Sequence, residues 1–392
     1  MTLPGLDRSL IDSAKAAYLQ FIQRTHAGAG RYRLTPYAEP TPYARCFAVF
    51  GYHLLQKDVE AADTARKALA SAIRDDLERV RQARAATGVD LRRDKPYLQL
   101  LTFSLSALAA LEVLDADPLA EHVLPLLSND VDADLQRAGA LEGRPRSGNA
   151  AMFMAILLIH ARDRLGYEAN AALERWCHLH RAAANQFGFW GGAASMSHLQ
   201  FQNGYHQYEI FEYLHEPHPG WDSAAEAVAS LADRQGHFAP YPGGGGCFDY
   251  DAVFVLTGVS AGQRSRHMPL LAQTADSILS EQNGDGGFAE SLRIRPRTLK
   301  NVTGLFRHAL DGRGAARRER LRQALTLLRP AHDRIHTHWS GYSRGWAESD
   351  LWDSWFRMLA VARIDCAFDL SRAAEWGFIN FPGIGFHPSV RG

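Results

Sequence analysis

Asp249 and Asp251 stand two positions apart in the stretch GGGGCFDYDAVFVL, residues 243–256, behind four consecutive glycines and at the head of an apolar run. Two carboxyl groups this close can keep one of them protonated, because a neighbouring negative charge and an apolar setting both disfavour ionisation. A carboxylic acid held neutral at ordinary pH can donate a proton to a substrate. The structural alternative is that Asp249 caps a helix and Asp251 favours the dipole of its first turn. An ordinary cap has no use for four glycines. Their freedom to adopt positive φ and to approach other atoms closely points to a loop that folds over a cavity mouth. Such a loop brings both acids to the rim, with Asp251 facing inward.

Two further stretches are dense in chemistry. SMSHLQFQNGYHQYEIFEYLHEPHPGW places Tyr205 and His206 together at the start of a helix, with Tyr208, Glu209 and Glu212 behind them. A His–Tyr pair there can do acid–base work; the alternative is aromatic packing around a satisfied histidine. HDRIHTHWSGYSRGWAESDLWDSW carries His336, His338, Trp339, Trp346, Trp352 and Trp355. No carboxylate stands at a set spacing from the two histidines, so no metal site is expected. Tryptophan near a cavity mouth suits stacking on a sugar or facing a carbocation.

The bulk properties exclude several functions. Lys+Arg and Asp+Glu both number 43 in 392 residues, which argues against a general grip on nucleic acid or an anionic membrane. The four cysteines, Cys46, Cys177, Cys247 and Cys366, lie far apart with no CxxC pair, so unpaired thiols and a cytoplasmic location are expected. The first residues lack an apolar signal core, and no run of about 18 apolar residues exists. No Walker loop, dinucleotide fingerprint, GxSxG or HExxH occurs, and no cofactor is expected.

The elements that must carry these residues repeat. Apolar, helix-like runs follow Gly/Pro/aromatic turns and begin near Arg45, Tyr97, Asn149, Asn203, Asp249, Asn301 and Asp353, at intervals of about 52 residues. Between them lie polar segments such as VEAADTARKALASAIRDDLERVRQA, with apolar residues every three or four positions. Each unit is an amphipathic outer helix, a turn and an apolar inner helix. Inner helices apolar nearly all round need cover on both sides. The expectation is therefore an all-α fold, a closed α/α toroid of six or seven helical hairpins in one domain over residues 1–392. In a toroid the inner N-termini open at one mouth. Asp251, Asp249, His206 and Tyr205 are the expected catalytic residues there. Arg45, Tyr97, Asn149, Asn203, Trp190, Asn301, Trp346, Asp350 and Asp353 are the expected substrate-binding ones.

The turns FIQRTHAGAGRYRL, ANQFGFWGGA, LADRQGHFAPYPGG and LSEQNGDGGFAES each set a glycine and an aromatic after a helix end. EQNGDGGFAES resembles the glutamine–glycine–aromatic repeat of the squalene cyclase and protein prenyltransferase β-subunit superfamily. In the class II terpene cyclases of that superfamily an Asp-x-Asp-Asp motif opens an inner helix, and its second acid protonates an isoprenoid. DYDAVFVL is similar at its first two acids, Asp249 and Asp251; its third position is Ala252. The zinc site of the prenyltransferases finds no counterpart, since Cys247 and Asp249 stand in reversed order and no histidine opens the next inner helix. The resemblance implies a terpenoid cyclase or isomerase acting on an isoprenoid in an apolar aromatic cavity by acid-initiated carbocation chemistry. The residues leave two alternatives: a carbohydrate-active α/α-barrel hydrolase, lyase or epimerase acting on a glycan, and a binding toroid without chemistry.

Overall fold

The computed structural model describes residues 6–59, 63–116, 118–192, 196–218 and 220–390. Fifteen α-helices follow one another among them: α1 (Arg8–Thr25), α2 (Pro42–Leu54), α3 (Asp63–Ala86), α4 (Lys95–Ala110), α5 (Ala120–Val123), α6 (Val131–Ala138), α7 (Ser147–Leu165), α8 (Asn170–Ala183), α9 (His198–Leu214), α10 (Trp221–Ala229), α11 (Gly246–Thr257), α12 (Ala261–Ser280), α13 (Leu299–Asp311), α14 (Gly314–Leu327) and α15 (Leu351–Phe368). Strand is confined to two-residue pieces. β1 (Phe288–Ala289) pairs antiparallel with β4 (Ser349–Asp350), Phe288 opposite Asp350. β2 (Arg334–Ile335) pairs with β3 (Arg344–Gly345).

Six helices form the inner layer, and their ring closes. α2 packs on α4, α4 on α7, α7 on α9, α9 on α11, α11 on α15, and α15 back on α2. These helices are buried along most of their length, as runs apolar on every side must be. The outer helices α1, α3, α8, α10 and α12 cover them with one apolar face each, and α12 meets both α1 and α10. The inner helices run parallel. Tyr43 of α2 donates to the Pro96 carbonyl at the start of α4, whereas Arg363 near the end of α15 pairs with Glu212 near the end of α9 at 2.8 Å. Thr41, Asp94, Ser197 and Asp350 cap the N-termini of α2, α4, α9 and α15 with side-chain oxygens, satisfying backbone N–H groups that the helix leaves free.

The repeated turns have one geometry. Gly188, Gly236 and Gly286 take φ of 74°, 83° and 85°. Each is followed within two residues by a fully buried ring, Phe189, Phe238 and Phe288. A backbone bond closes each loop, Asn185 N to Phe189 O, Asp233 N to His237 O and Asn283 N to Gly287 O, at 2.7–2.9 Å.

The ring has six members because the segment beginning near Asn301 does not join it. α13 buries only Leu305, His308 and Ala309, and leaves Leu299 83% exposed. It packs on α14, and the pair forms an insert between α12 and α15. The reason is visible in LKNVTGLFRHALD: its apolar residues form one stripe among Lys300, Asn301, Arg307 and Asp311, which suits a half-covered helix and not a ring wall.

The C-terminal end of the ring is floored by residues 376–387. Gly377 N bonds the Leu54 carbonyl of α2, Gly383 lies against Ile156 of α7 and Phe386 packs on Tyr213 of α9. Gly385 N reaches Tyr250 of α11, and Arg363 of α15 donates to the Phe386 carbonyl at 3.0 Å. The opposite end, where the inner helices start, is the mouth.

Candidate active site

The four glycines are buried and do not form a flap over the mouth. Gly243, Gly244 and Gly245 have φ of 86°, 77° and 156°. A Cβ on Gly244 would overlap Asp249 Oδ2 and stand 2.8 Å from His237 Nδ1, and one on Gly246 would stand 3.0 Å from the Asp353 Cα. Their absent side chains let the start of α11 press into the wall beside the start of α15.

Asp249 and Asp251 point in different directions. Asp249 is turned to the outer wall. Its Oδ2 lies 2.8 Å from His237 Nδ1 and its Oδ1 accepts from Phe238 N at 3.0 Å. Glu281 approaches His237 Nε2 at 3.5 Å, and Arg357 stands between Glu281 and Asp249 at 3.4 and 3.7 Å. Asp249 is not the helix cap, since Gly245 occupies that position. It ties the ring to an outer turn. Asp251, two residues on, lies about 200° further round the helix. It shares the inward face of Cys247, one turn nearer the mouth.

Asp251 is 1% exposed, and its Oδ1 has no partner. Tyr205 of α9 stands beside the carboxyl group and opposes the rise in its pKa. One turn beyond Tyr205 sits Glu209, fully buried with both oxygens unpartnered. Burial, then the nearby Glu209, push Asp251 well above the carboxylate range; burial does the same to Glu209. Both acids are therefore biased toward the protonated form. His206 lies beside them. Asn149 Nδ2 donates to its Nε2, which leaves the ring proton on Nδ1, 3.8 Å from Glu209 Oε2. Burial and the Lys95 charge lower His206 to about 3, so the imidazole is neutral. Asn203 Oδ1 accepts from Arg146 N at 2.7 Å and joins the starts of α7 and α9.

A second cluster faces the first across Cys247. Tyr241 donates to Glu290. Arg344 reaches Glu290 Oε2 at 3.1 Å and Asp353 Oδ2 at 2.8 Å, and it also pairs with Asp350. Burial and Asp353 raise Glu290 to about 7. Asp350 caps α15 by accepting from Asp353 N at 2.8 Å. Trp346 sets its ring at 5.5 Å from Tyr241 and donates to the His332 carbonyl. Cys247 is held as a neutral thiol by burial and by Asp251, Glu290 and Asp353.

The hairpin between β2 and β3 crosses the mouth. His338 Nε2 lies 2.9 Å from Gln99 Oε1, while His336 turns to Ser343. Trp339 packs on Trp352 at 4.3 Å and on Phe47 at 5.6 Å. Phe103 of α4 meets Trp352 of α15 at 5.8 Å although α2 stands between their helices, so aromatic side chains reach across the ring interior.

Besides Asp249, four expected residues lie outside this arrangement. Arg45 points outward, donating to the Gly30 and Ala72 carbonyls and pairing with Asp76. Tyr97 turns outward, its hydroxyl 3.0 Å from His122 Nδ1. Trp190 is packed between His180 and Tyr208 behind the ring. Asn301 binds the Pro296 carbonyl on the α13 insert. In turn, Glu290, Tyr241 and Arg344 were not foreseen as site residues. Aligning the glycine–aromatic turns finds Glu290: it occupies the second position after Phe288, where the other turns have Gly191 and Pro240.

No protein-family model and no curated protein matches this chain. Solved structures do. The type II terpene cyclase MstE from Scytonema is 13% identical with a TM-score of 0.46, over 94% of this chain and 99% of that one. A glycosidase variant in complex with glucose is 11% identical with a TM-score of 0.50, over 92% of this chain and 99% of that one. The similarity to the glycosidase is one of fold, and the fold that the closed ring of helices defines is the α/α toroid.

Proposed function

We propose that this protein is an enzyme of the terpenoid cyclase or isomerase kind, in which Asp251 protonates an isoprenoid. One observation carries the reading: Asp251 is a buried carboxyl group with an unpartnered oxygen, pushed toward its protonated form by burial and Glu209, on a ring helix below an aromatic-lined mouth. Protonating an alkene demands an acid of this kind in a dry setting. The Asp251 O–H bond breaks, the alkene π pair forms the new C–H bond, and a carbocation remains on the substrate. The faces of Phe47, Phe103 and Trp352 suit that cation. A second alkene can close a ring onto it, and transfer of a proton from an adjacent carbon back to the Asp251 carboxylate, the C–H pair becoming a new alkene, ends the sequence with the acid restored and no net oxidation. Tyr205 steadies the Asp251 carboxylate left behind. Incubation with farnesyl and geranylgeranyl substrates, followed by mass spectrometry, tests the reading: a cyclised or isomerised product of unchanged mass is expected from the parent and not from Asp251→Asn.

Glu290 favours a second reading. A carboxyl group poised near pH 7 beside Tyr241, Trp346 and Asp353 suits a general acid acting on a glycan. Release of sugar from oligosaccharides, lost in Glu290→Gln and kept in Asp251→Asn, would select it.

A further inference from the structure

A cavity of about 510 Å³ opens on the flank of the ring between α4 and α7 and runs up to the candidate site. Its lower wall is apolar, built from Leu98, Phe153, Met154 and Leu157. Its upper end holds Lys95 and Arg146 at the starts of the two helices. The other charged groups there are engaged: Arg93 with Asp90, Arg137 with Asp134, and Arg92 with the Pro125 carbonyl. Lys95 and Arg146 have no anionic partner among the described residues. Arg146 stands at φ 68°, a left-handed conformation that residues other than glycine seldom adopt, and Asn203 holds its N–H there at 2.7 Å. Asp130, the remaining carboxylate of the lining, caps α6 by accepting from Ala133 N at 3.0 Å. Two like charges thus share one cavity without an ion-pair partner, and burial, then the Arg146 charge, lowers Lys95. Asn149, which lines the same cavity, hydrogen-bonds His206 on its far side.

We infer that this cavity binds an amphiphile whose anionic head, a phosphate or a carboxylate, lies between Lys95 and Arg146 and whose apolar chain lies along Leu98, Phe153 and Leu157. Charge complementarity selects the head, and a volume in the usual range for small-ligand sites accommodates the chain. As a statement about the substrate this rests on the acid role of Asp251; as a binding site it does not.

Isothermal titration of the full chain with dodecyl phosphate, dodecanoate, dodecanol and inorganic phosphate tests it. At least one anionic amphiphile should bind about tenfold or more tighter than dodecanol and than inorganic phosphate, and whichever of the two anions wins identifies the head group. Lys95→Met combined with Arg146→Gln should weaken that binding about tenfold or more with an unchanged melting curve, and added salt should weaken it in the parent. Asp251→Asn should bind as the parent does, so a failed acid assignment leaves this result standing, and the reverse also holds. Dodecanol binding as tightly as both anions, unchanged affinity in the double variant, or no binding of any amphiphile would overturn the inference.

Discussion

His237 Nδ1 stands 2.8 Å from Asp249 Oδ2, with both side chains wholly buried. The contact fastens an outer turn to the ring wall and turns Asp249 away from Asp251, which lies toward Tyr205 and Glu209 of α9. Burial opposes a charge on His237, but Asp249 and Glu281 outweigh it and raise the group to about 9.

The pH dependence of stability follows from that contact. A histidine whose folded pKa lies above its unfolded value of about 6.5 stabilises fully below that value, and the contribution is lost as pH rises through about 9. Denaturant melts between pH 6.5 and 9.5 should show a loss on the order of 3 kcal/mol from this group. Asp249→Asn should abolish most of the slope. A flat profile in the parent would show that His237 is neutral in the folded chain.

Asp251→Asn and Asp249→Asn should separate chemistry from structure. The first should lower turnover by about a hundredfold or more while the melting temperature holds or rises, since it removes an ionisable group from an apolar site. The second should cost about 3 kcal/mol of stability, because it strips a buried ion pair of one partner. In the parent, turnover should persist above the ordinary carboxylate range and fall only as pH climbs through the raised Asp251 pKa, where the donor loses its proton. Normal turnover by Asp251→Asn would remove the residue from the mechanism.

Gly244→Ala should destabilise by about 2–4 kcal/mol, combining a positive φ with displacement of the Asp249–His237 contact. Gly304→Ala, on α13 with open space around its Cβ position, should instead add about 0.5–1 kcal/mol. Thermal or urea melts of the two variants check the pair. Equal effects would mean that the glycine loop is not packed as described.

Glu290→Gln should remove any inflection near pH 7 from the turnover profile, because this carboxyl group titrates at about 7. A profile that keeps the inflection would assign it elsewhere.

The toroid was legible in the sequence because its repeat is punctuated by residues with a physical duty. Gly188, Gly236 and Gly286 turn the chain at positive φ, and Phe189, Phe238 and Phe288 seal the core behind them. The spacing alone misassigned α13, where interval and turn agreed but the apolar residues made one stripe. Of the acid pair, Asp251 faces inward as its helix phase allows, while Asp249 answers to His237, a partner twelve residues away on an outer turn that no local spacing reveals. Arg45 and Tyr97 sit at the expected height on their helices, yet point outward to Asp76 and His122. Height follows from the repeat; direction depends on neighbours that only the folded ring supplies.

The closure of the ring by α15 has a consequence for how the chain acquires this structure. α15 is the wall between α11 and α2, yet it follows α2 by about 300 residues, with the α13–α14 insert translated in between. During synthesis the apolar flanks of α2 and α11 have no permanent neighbour until that late helix arrives, and the loop it must close is among the longest the fold contains, so its assembly is expected to be slow. The unclosed intermediate carries two adhesive edges that match those of any other copy at the same stage. Cells expressing this protein quickly should therefore need chaperone capacity in proportion to the time spent between α11 and α15, and slowing translation across that interval should prolong the hazard rather than relieve it.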